Sequence, residues 1–167
     1  MTRAARCATN GGMGRTGGYE DPKGEQPVRE EPVRVVLADD HAGFRRGLEE
    51  MLSTDGGIEV VGEAENGAQA VELAKETRPD VVVLDLAMPV MEGREALGLI
   101  LRRVSPPPGI VILTMHDQAR QRRELLGMGA SAFLAKSASL AEFVAAVKSS
   151  TPKCTPREIS DEAPPPA

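Results

Sequence analysis

Across residues 33–149 the chain alternates short β-branched runs with longer stretches whose apolar positions recur three and four apart. VRVVLA, beginning at Val33, predicts a first strand that leads to Asp39 and Asp40. From His41 the period changes to that of a helix, with Phe44, Leu48, Met51 and Leu52 on one face. IEVVGEA, Ile58–Ala64, predicts a second strand, and Asn66-Gly67 a turn after it. A second helix over about 68–76 turns Ala70, Val71 and Ala74 inward and stops short of Pro79, whose ring and missing N–H cannot continue it.

DVVVLD, residues 80–85, is almost continuously apolar before its terminal carboxylate, the pattern of a central parallel strand covered on both faces. LAMPVMEG predicts a loop, and residues 94–104 a third helix burying Leu97, Ile100 and Leu101 until Ser105-Pro106-Pro107-Pro108-Gly109 breaks it. IVILT, 110–114, is a second central-type strand. Asp117 can cap a fourth helix ending in LLGMG, which is the least apolar of the series and suits a solvated or partner-binding face. SAFLAK, 131–136, predicts the last strand, and 139–149 a last helix with Leu140, Phe143, Val144 and Val147 on one stripe.

Five strands alternating with five helices predict an α/β fold: an open five-stranded parallel sheet with helices on both faces and right-handed crossovers. In such sheets, sites form at the carboxyl ends of the central strands, near the reversal of strand order. The polar residues at strand ends here are Asp39, Asp40, Asp85, Thr114 and Lys136.

Taken singly, each carboxylate is an ordinary strand-end cap. Three of them in one crevice repel one another and require a positive charge. Oxygen-only ligands fit a hard divalent cation, Mg²⁺ or Mn²⁺. With one carboxylate as nucleophile the product is an aspartyl phosphate. Asp85 is the best placed, because it ends the most apolar run. Lys136 can pair with a phosphate oxygen, and the Thr114 hydroxyl can donate to another.

ADDH at 38–41, VVLDLAMPVMEG at 82–93, VILTMHD at 111–117 and GASAFLAKS at 129–137 resemble, in order and spacing, the hallmark motifs of the receiver domain of bacterial two-component response regulators. The resemblance implies a flavodoxin-like (βα)5 fold with strand order 2-1-3-4-5. It implies that Asp85 takes a phosphoryl group from a sensor histidine kinase, with Asp39, Asp40, Asp85 and the backbone carbonyl of Ala87 around Mg²⁺. Asp40 is then the direct ligand of the acidic pair, and Asp39 acts through water. Thr114 and Lys136 contact the phosphate, and Pro89 and Gly93 shape the loop. Thr114 and Phe133 match the pair that moves on activation, Thr114 toward the phosphate and Phe133 inward. That change alters the face of the fourth helix, fifth strand and fifth helix, where contacts or homodimerisation are read. No substrate-turnover activity is implied beyond assisting phosphorylation and dephosphorylation at Asp85.

The finer pattern, ADDHAGFRRGLEEML with EVVGEAENGAQAVEL, resembles the NarL/FixJ-type subgroup, in which a helix-turn-helix output domain normally follows. Here CTPRE at 154–158 resembles the opening of that domain, and ISDEAPPPA then departs from it. A truncated or frameshifted regulator, or one that has lost its output module, fits this tail equally. The subgroup commonly lacks a proline after the lysine, where this chain has Ser137. His41 is read as a subgroup marker at the pocket rim, and His116 as an ordinary loop residue.

Composition changes this picture only at its margins. Residues 1–32 are rich in Gly, Arg, Glu and Pro and read as a disordered leader, a mis-assigned start or a regulatory arm; 150–167 reads as a disordered Pro-rich tail. A net charge of −5 without a long basic run argues against direct nucleic-acid binding. Cys7 and Cys154 lie outside the patterned region, which argues against a disulfide framework or zinc site. The absence of a signal-like run or an 18-residue apolar stretch predicts a cytoplasmic chain without a membrane span. The remaining competitor, a nucleotide- or flavin-binding module on the same sheet, lacks a glycine-rich phosphate cradle in ADDHAGFRRG.

Overall fold

The computed structural model describes residues 31–116 and 119–152. The expected cap at Asp117, both cysteines and nearly all of the leader and tail lie outside those residues. Five strands, β1 (Val33–Ala38), β2 (Ile58–Ala64), β3 (Val81–Asp85), β4 (Gly109–Thr114) and β5 (Ala132–Ala135), form one parallel sheet in the order β2-β1-β3-β4-β5. Between and after them run α1 (Ala42–Ser53), α2 (Gly67–Thr77), α3 (Gly93–Arg103), α4 (Ala119–Met128) and α5 (Leu140–Ser150).

The near-continuous apolar runs are central strands because the pleat sends alternate residues to opposite faces and both faces are covered. Val36, Ala38, Val82, Leu84, Ile110 and Ile112 pack against α2, α3 and α4. Val35, Leu37, Val81, Val83, Val111 and Leu113 pack against α1 and α5. β3 and β4 are buried at every position.

Local chemistry sets the helix ends. Asn66 accepts from the backbone N–H of Gln69 and so caps α2; Asn66-Gly67 is the start of a helix, not a free turn. α2 ends at Arg78, which takes a left-handed conformation just ahead of Pro79. Ser139 and Glu142 form a reciprocal capping box on α5, and their hydrogen bonds hold the Glu142 carboxyl below its usual range. α5 runs one residue past its expected end, and Ser150 is buried. β5 is shorter than predicted, since Ser131 and Lys136 flank it.

The buried stripe of α1 is Arg45, Leu48 and Leu52, at spacings of three and four. Met51 faces outward and Phe44 is half-buried, so the helix is rotated from the face that hydrophobicity alone selects. The cause is Arg45, whose bonds are described below. Leu97 and Ile100 are fully buried as expected, while Leu101 is only partly covered; on α5, Phe143 and Val147 form the core and Leu140 and Val144 its rim. α4 buries Leu125 alone. Among the described residues no helix is long and apolar enough to cross a membrane.

Two glycines give opposite tests of this packing. A methyl added at Gly109 would lie 1.8 Å from the carbonyl oxygen of Ser150, whereas one added at Gly47 meets nothing within 4 Å. Gly109→Ala is therefore expected to destabilise by about 2 kcal/mol or more. Gly47→Ala, inside α1, should stabilise by about 0.5–1 kcal/mol. Urea unfolding reads both as shifts of midpoint at constant m.

Candidate functional site

Because the strands are parallel, all their carboxyl ends open on one edge of the sheet. Ala38 of β1 is registered against Leu84 of β3, so the next residues, Asp39 and Asp85, emerge side by side. Thr114 closes β4 one strand further on, and the Lys136 backbone N–H donates to the Thr114 carbonyl, locking the end of β5 beside it. Asp39 and Asp85 are only 2% and 3% exposed, while Asp40 lies at the surface.

Lys136 joins the two buried carboxylates. Its Nζ donates to Asp85 Oδ2 at 3.0 Å and approaches Asp39 Oδ2 at 2.5 Å, the latter an ion contact without hydrogen-bond alignment. The Phe44 ring lies 5.0 Å from the same ammonium and walls it on the α1 side. Burial raises the Asp85 carboxyl above its ordinary value, and neighbouring Asp39 adds to this, outweighing the bonds from Lys136 and the Ala87 N–H. Burial also acts to lower the Lys136 ammonium, but its contacts with Asp39 and Asp85 outweigh that and hold it above the usual lysine value.

These residues fit a divalent cation. Asp39 Oδ2 is buried at the pocket wall, with the Lys136 ammonium beside it but no aligned hydrogen bond. One ammonium against the carboxylates of Asp39, Asp40 and Asp85 leaves net negative charge that a further cation would balance. Ligand atoms of Asp39, Asp40 and His41 lie within 4.8 Å of one another. His41 also caps this corner: its backbone N–H donates to Asp39 Oδ1 at 2.8 Å and its Nδ1 lies 2.8 Å from Asp40 Oδ1.

The loop after Asp85 is tightly shaped. The Met91 N–H donates to the Pro89 carbonyl at 2.7 Å across Val90, which has φ 67° and is 87% exposed. This is the rarer, strained form of γ-turn, with a β-branched residue at its centre. The Met91 carbonyl in turn accepts from Gly67 at the start of α2. Gly93 donates to the Leu86 carbonyl, and a Cβ there would fall 2.1 Å from the Asp85 carbonyl oxygen. The loop-shaping expectation for Pro89 and Gly93 thus has a steric content: the chain passes too close to Asp85 for any side chain at Gly93. Ala87 lies in the same loop, and its N–H points at Asp85 Oδ1 at 3.4 Å.

Thr114 and Phe133 are held in different ways. The Thr114 hydroxyl donates to the His116 carbonyl at 3.0 Å and accepts from the His116 N–H at 3.2 Å, so it is engaged by its own loop. Phe133 is already packed inward at 5% exposure, with the Arg122 guanidinium 5.8 Å from its ring centroid. His116 makes both bonds through its backbone, and neither depends on its imidazole.

Arg45 is the residue that the sequence reading passed over. Its Nη1 donates to the Asp39 carbonyl at 2.6 Å and its Nε to Glu63 Oε2 at 2.9 Å. The available signal was its spacing from Leu48 and Leu52, which places an arginine on the inward stripe of α1.

Residues 35–148 match the family of response regulator receiver domains. The chain is 41% identical over 117 residues to the probable transcriptional regulatory protein NarL of Mycobacterium tuberculosis, covering 70% of this chain and 54% of that protein. It is 45% identical over 104 residues to a protein-glutamate methylesterase/protein-glutamine glutaminase of Alkalilimnicola ehrlichii, covering 62% of this chain and 27% of that one. The solved signal receiver domain of the NarL protein of M. tuberculosis superposes with a TM-score of 0.66 at 39% identity, over 71% of this chain and 94% of that domain. The chain thus spans about half the length of its NarL relative, and less of the methylesterase.

The charges at the strand ends predict opposite effects of two substitutions. A carboxyl whose folded pKa lies above its unfolded value of 3.8 loses stability as pH rises from the unfolded value through the folded one. Asp85→Asn should therefore raise stability above the folded pKa, a gain that fades as the solution is acidified below the unfolded value. Lys136→Met leaves two buried carboxylates facing each other and should lower stability at pH 7 by about 2 kcal/mol. Thermal unfolding across pH measures both signs.

Proposed function

This chain belongs to the response regulator receiver family, and from that premise we propose that Asp85 is its phosphoacceptor and that a sensor histidine kinase is its phosphoryl donor. The observation that carries the assignment is the placement of Asp85: the last residue of a fully buried central strand, paired to Lys136 and adjacent to Asp39. An Asp85 carboxylate oxygen bonds to phosphorus as the P–N bond of the donor phosphohistidine breaks. The electron pair leaves with the imidazole, which takes up a proton. Asp85 carries the phosphoryl group as an acyl phosphate.

Asp39, Asp40, Asp85 and the Ala87 carbonyl would hold Mg²⁺, or Mn²⁺, which when bound neutralises charge on the phosphoryl oxygens. Lys136 already contacts the oxygen of Asp85 and follows the negative charge outward as it moves onto the phosphoryl group. Thr114 gives up the His116 carbonyl to donate to that group. The strained turn at Val90 and the close pass of Gly93 hold Ala87 and the nucleophile in fixed relation. The face of α4, β5 and α5 then reads the change, through a homodimer or another protein.

A second reading, the regulatory part of a DNA-binding transcription factor, is favoured by the relative named as a transcriptional regulatory protein, of which this chain matches about half.

Incubation with Mg²⁺ and acetyl phosphate, followed by intact mass measurement, should add one phosphoryl group to the wild type and none to Asp85→Asn. Equal labelling of that variant would overturn the assignment. Sedimentation of the phosphorylated chain should show more dimer if the α4–β5–α5 face is self-complementary, and an unchanged profile assigns that face to another partner.

A further inference from the structure

We infer that Arg45 is a positioning residue for the metal-binding carboxylates, acting through the backbone of Asp39; this rests on the reading of the site as an Mg²⁺-dependent phosphoacceptor. Arg45 is 7% exposed and sits on the core-facing stripe of α1 between the sheet and the acidic edge. A guanidinium in that place is tolerated only where its fork of donors is engaged.

The engagement is directed. Nη1 holds the Asp39 carbonyl at 2.6 Å, Nε holds Glu63 Oε2 at 2.9 Å, and Nη2 lies 3.7 Å from Glu65 Oε1. Glu63 is the penultimate residue of β2 and Glu65 follows its end, so two acidic side chains from the neighbouring strand orient the guanidinium. On its other side, the Asp39 N–H donates to the Ala64 carbonyl at 3.1 Å. Both backbone polar groups of Asp39 are thereby held, one by β2 and one by a side chain.

Among the described residues the one cis peptide is Ser105–Pro106, so the Asp39–Asp40 bond is trans and planar. Holding its carbonyl therefore fixes the plane of the peptide between the two acidic residues and the directions in which both carboxylates leave the chain. It also turns a carbonyl oxygen toward Arg45. Lys136 and the His41 N–H complete the arrangement by fixing the two oxygens of the Asp39 carboxylate. Removing the arginine would free the carbonyl to rotate, and the paired carboxylates would lose their common aim.

The plain alternative is a clasp that merely ties α1 to β2. Calorimetric titration of Mg²⁺ into the unphosphorylated protein distinguishes the two, with Leu48→Ala as the control, since Leu48 lies on the same buried stripe and belongs to the apolar core cluster on that face. Arg45→Met is expected to weaken Mg²⁺ binding by about ten-fold or more, in the range found for partners that orient metal ligands. Arg45→Lys keeps the charge but lacks the fork, and should recover less than half of that loss on a logarithmic scale. In labelling with acetyl phosphate, Arg45→Met should need correspondingly more Mg²⁺ for half-maximal rate and approach the wild-type rate at saturation. Leu48→Ala should be destabilised in urea yet bind Mg²⁺ like the wild type. Equal affinity in Arg45→Met and the wild type, or equal weakening in Leu48→Ala, overturns the inference. Failure of the wild type to bind Mg²⁺ instead overturns the metal reading of the whole site, and the inference with it.

Discussion

Two buried carboxylates share one ammonium at the carboxyl edge of the sheet, and most of the architecture around that edge serves to keep them there. Asp39 and Asp85 emerge from adjacent parallel strands and would repel each other in a poorly solvated crevice without Lys136. The lysine arrives from β5, a strand of four residues whose far end is tied by the Lys136 N–H to the Thr114 carbonyl. The short edge strand is thus long enough to bring one cation across β4 to the acidic pair. Burial pushes the Asp85 carboxyl up and Asp39 adds to this, so the bonds from Lys136 do not fully offset the cost of holding that charge at the strand end.

The scaffold meets that demand with rigid parts. Each face of the sheet is covered by helices whose inward residues interdigitate with alternate strand positions, so the strand ends cannot shift singly. On the loop side, Gly93 packs against the backbone of Asp85, and the Met91 carbonyl is fixed by Gly67 at the start of α2. The positive φ of Val90 is strain retained where the chain must turn within three residues.

The fold was legible because apolar runs and helical periods agreed along the whole domain: β3 and β4 read as continuous hydrophobic stretches, and Pro79 and the run of prolines at 106–108 marked the breaks. The strand-end residues were legible because parallel topology places every carboxyl end on one edge. What hydrophobicity could not show was polar burial. An arginine does not enter an apolar period, so Met51 was placed on the inward face while Arg45 went unnoticed, and the true face of α1 depends on partners at Asp39 and Glu63 that are distant in sequence. Asn66-Gly67 carried the same composition whether it made a turn or a cap, and only the Gln69 N–H decided between them. The hydrogen bonds from His116 to Thr114 are backbone contacts, and no side-chain pattern announces them.

The positions of Thr114 and Phe133 also constrain how a change at Asp85 could be felt at the surface. Phe133 already lies inside the core formed with α2, α3 and α4. The Thr114 hydroxyl, by contrast, is held by two hydrogen bonds to His116, each worth about 1 kcal/mol net. A charge-assisted bond to a phosphoryl oxygen is stronger than either, so exchanging them is energetically within reach. The next helix along the chain, α4, rests on Leu125 as its single buried side chain. An element with one apolar anchor lies at the low end of local stability. Within the proposed function, the bonds of Thr114 to the His116 backbone are therefore the contacts that a phosphoryl group at Asp85 would exchange, with Phe133 already packed in the core that Leu125 of α4 joins.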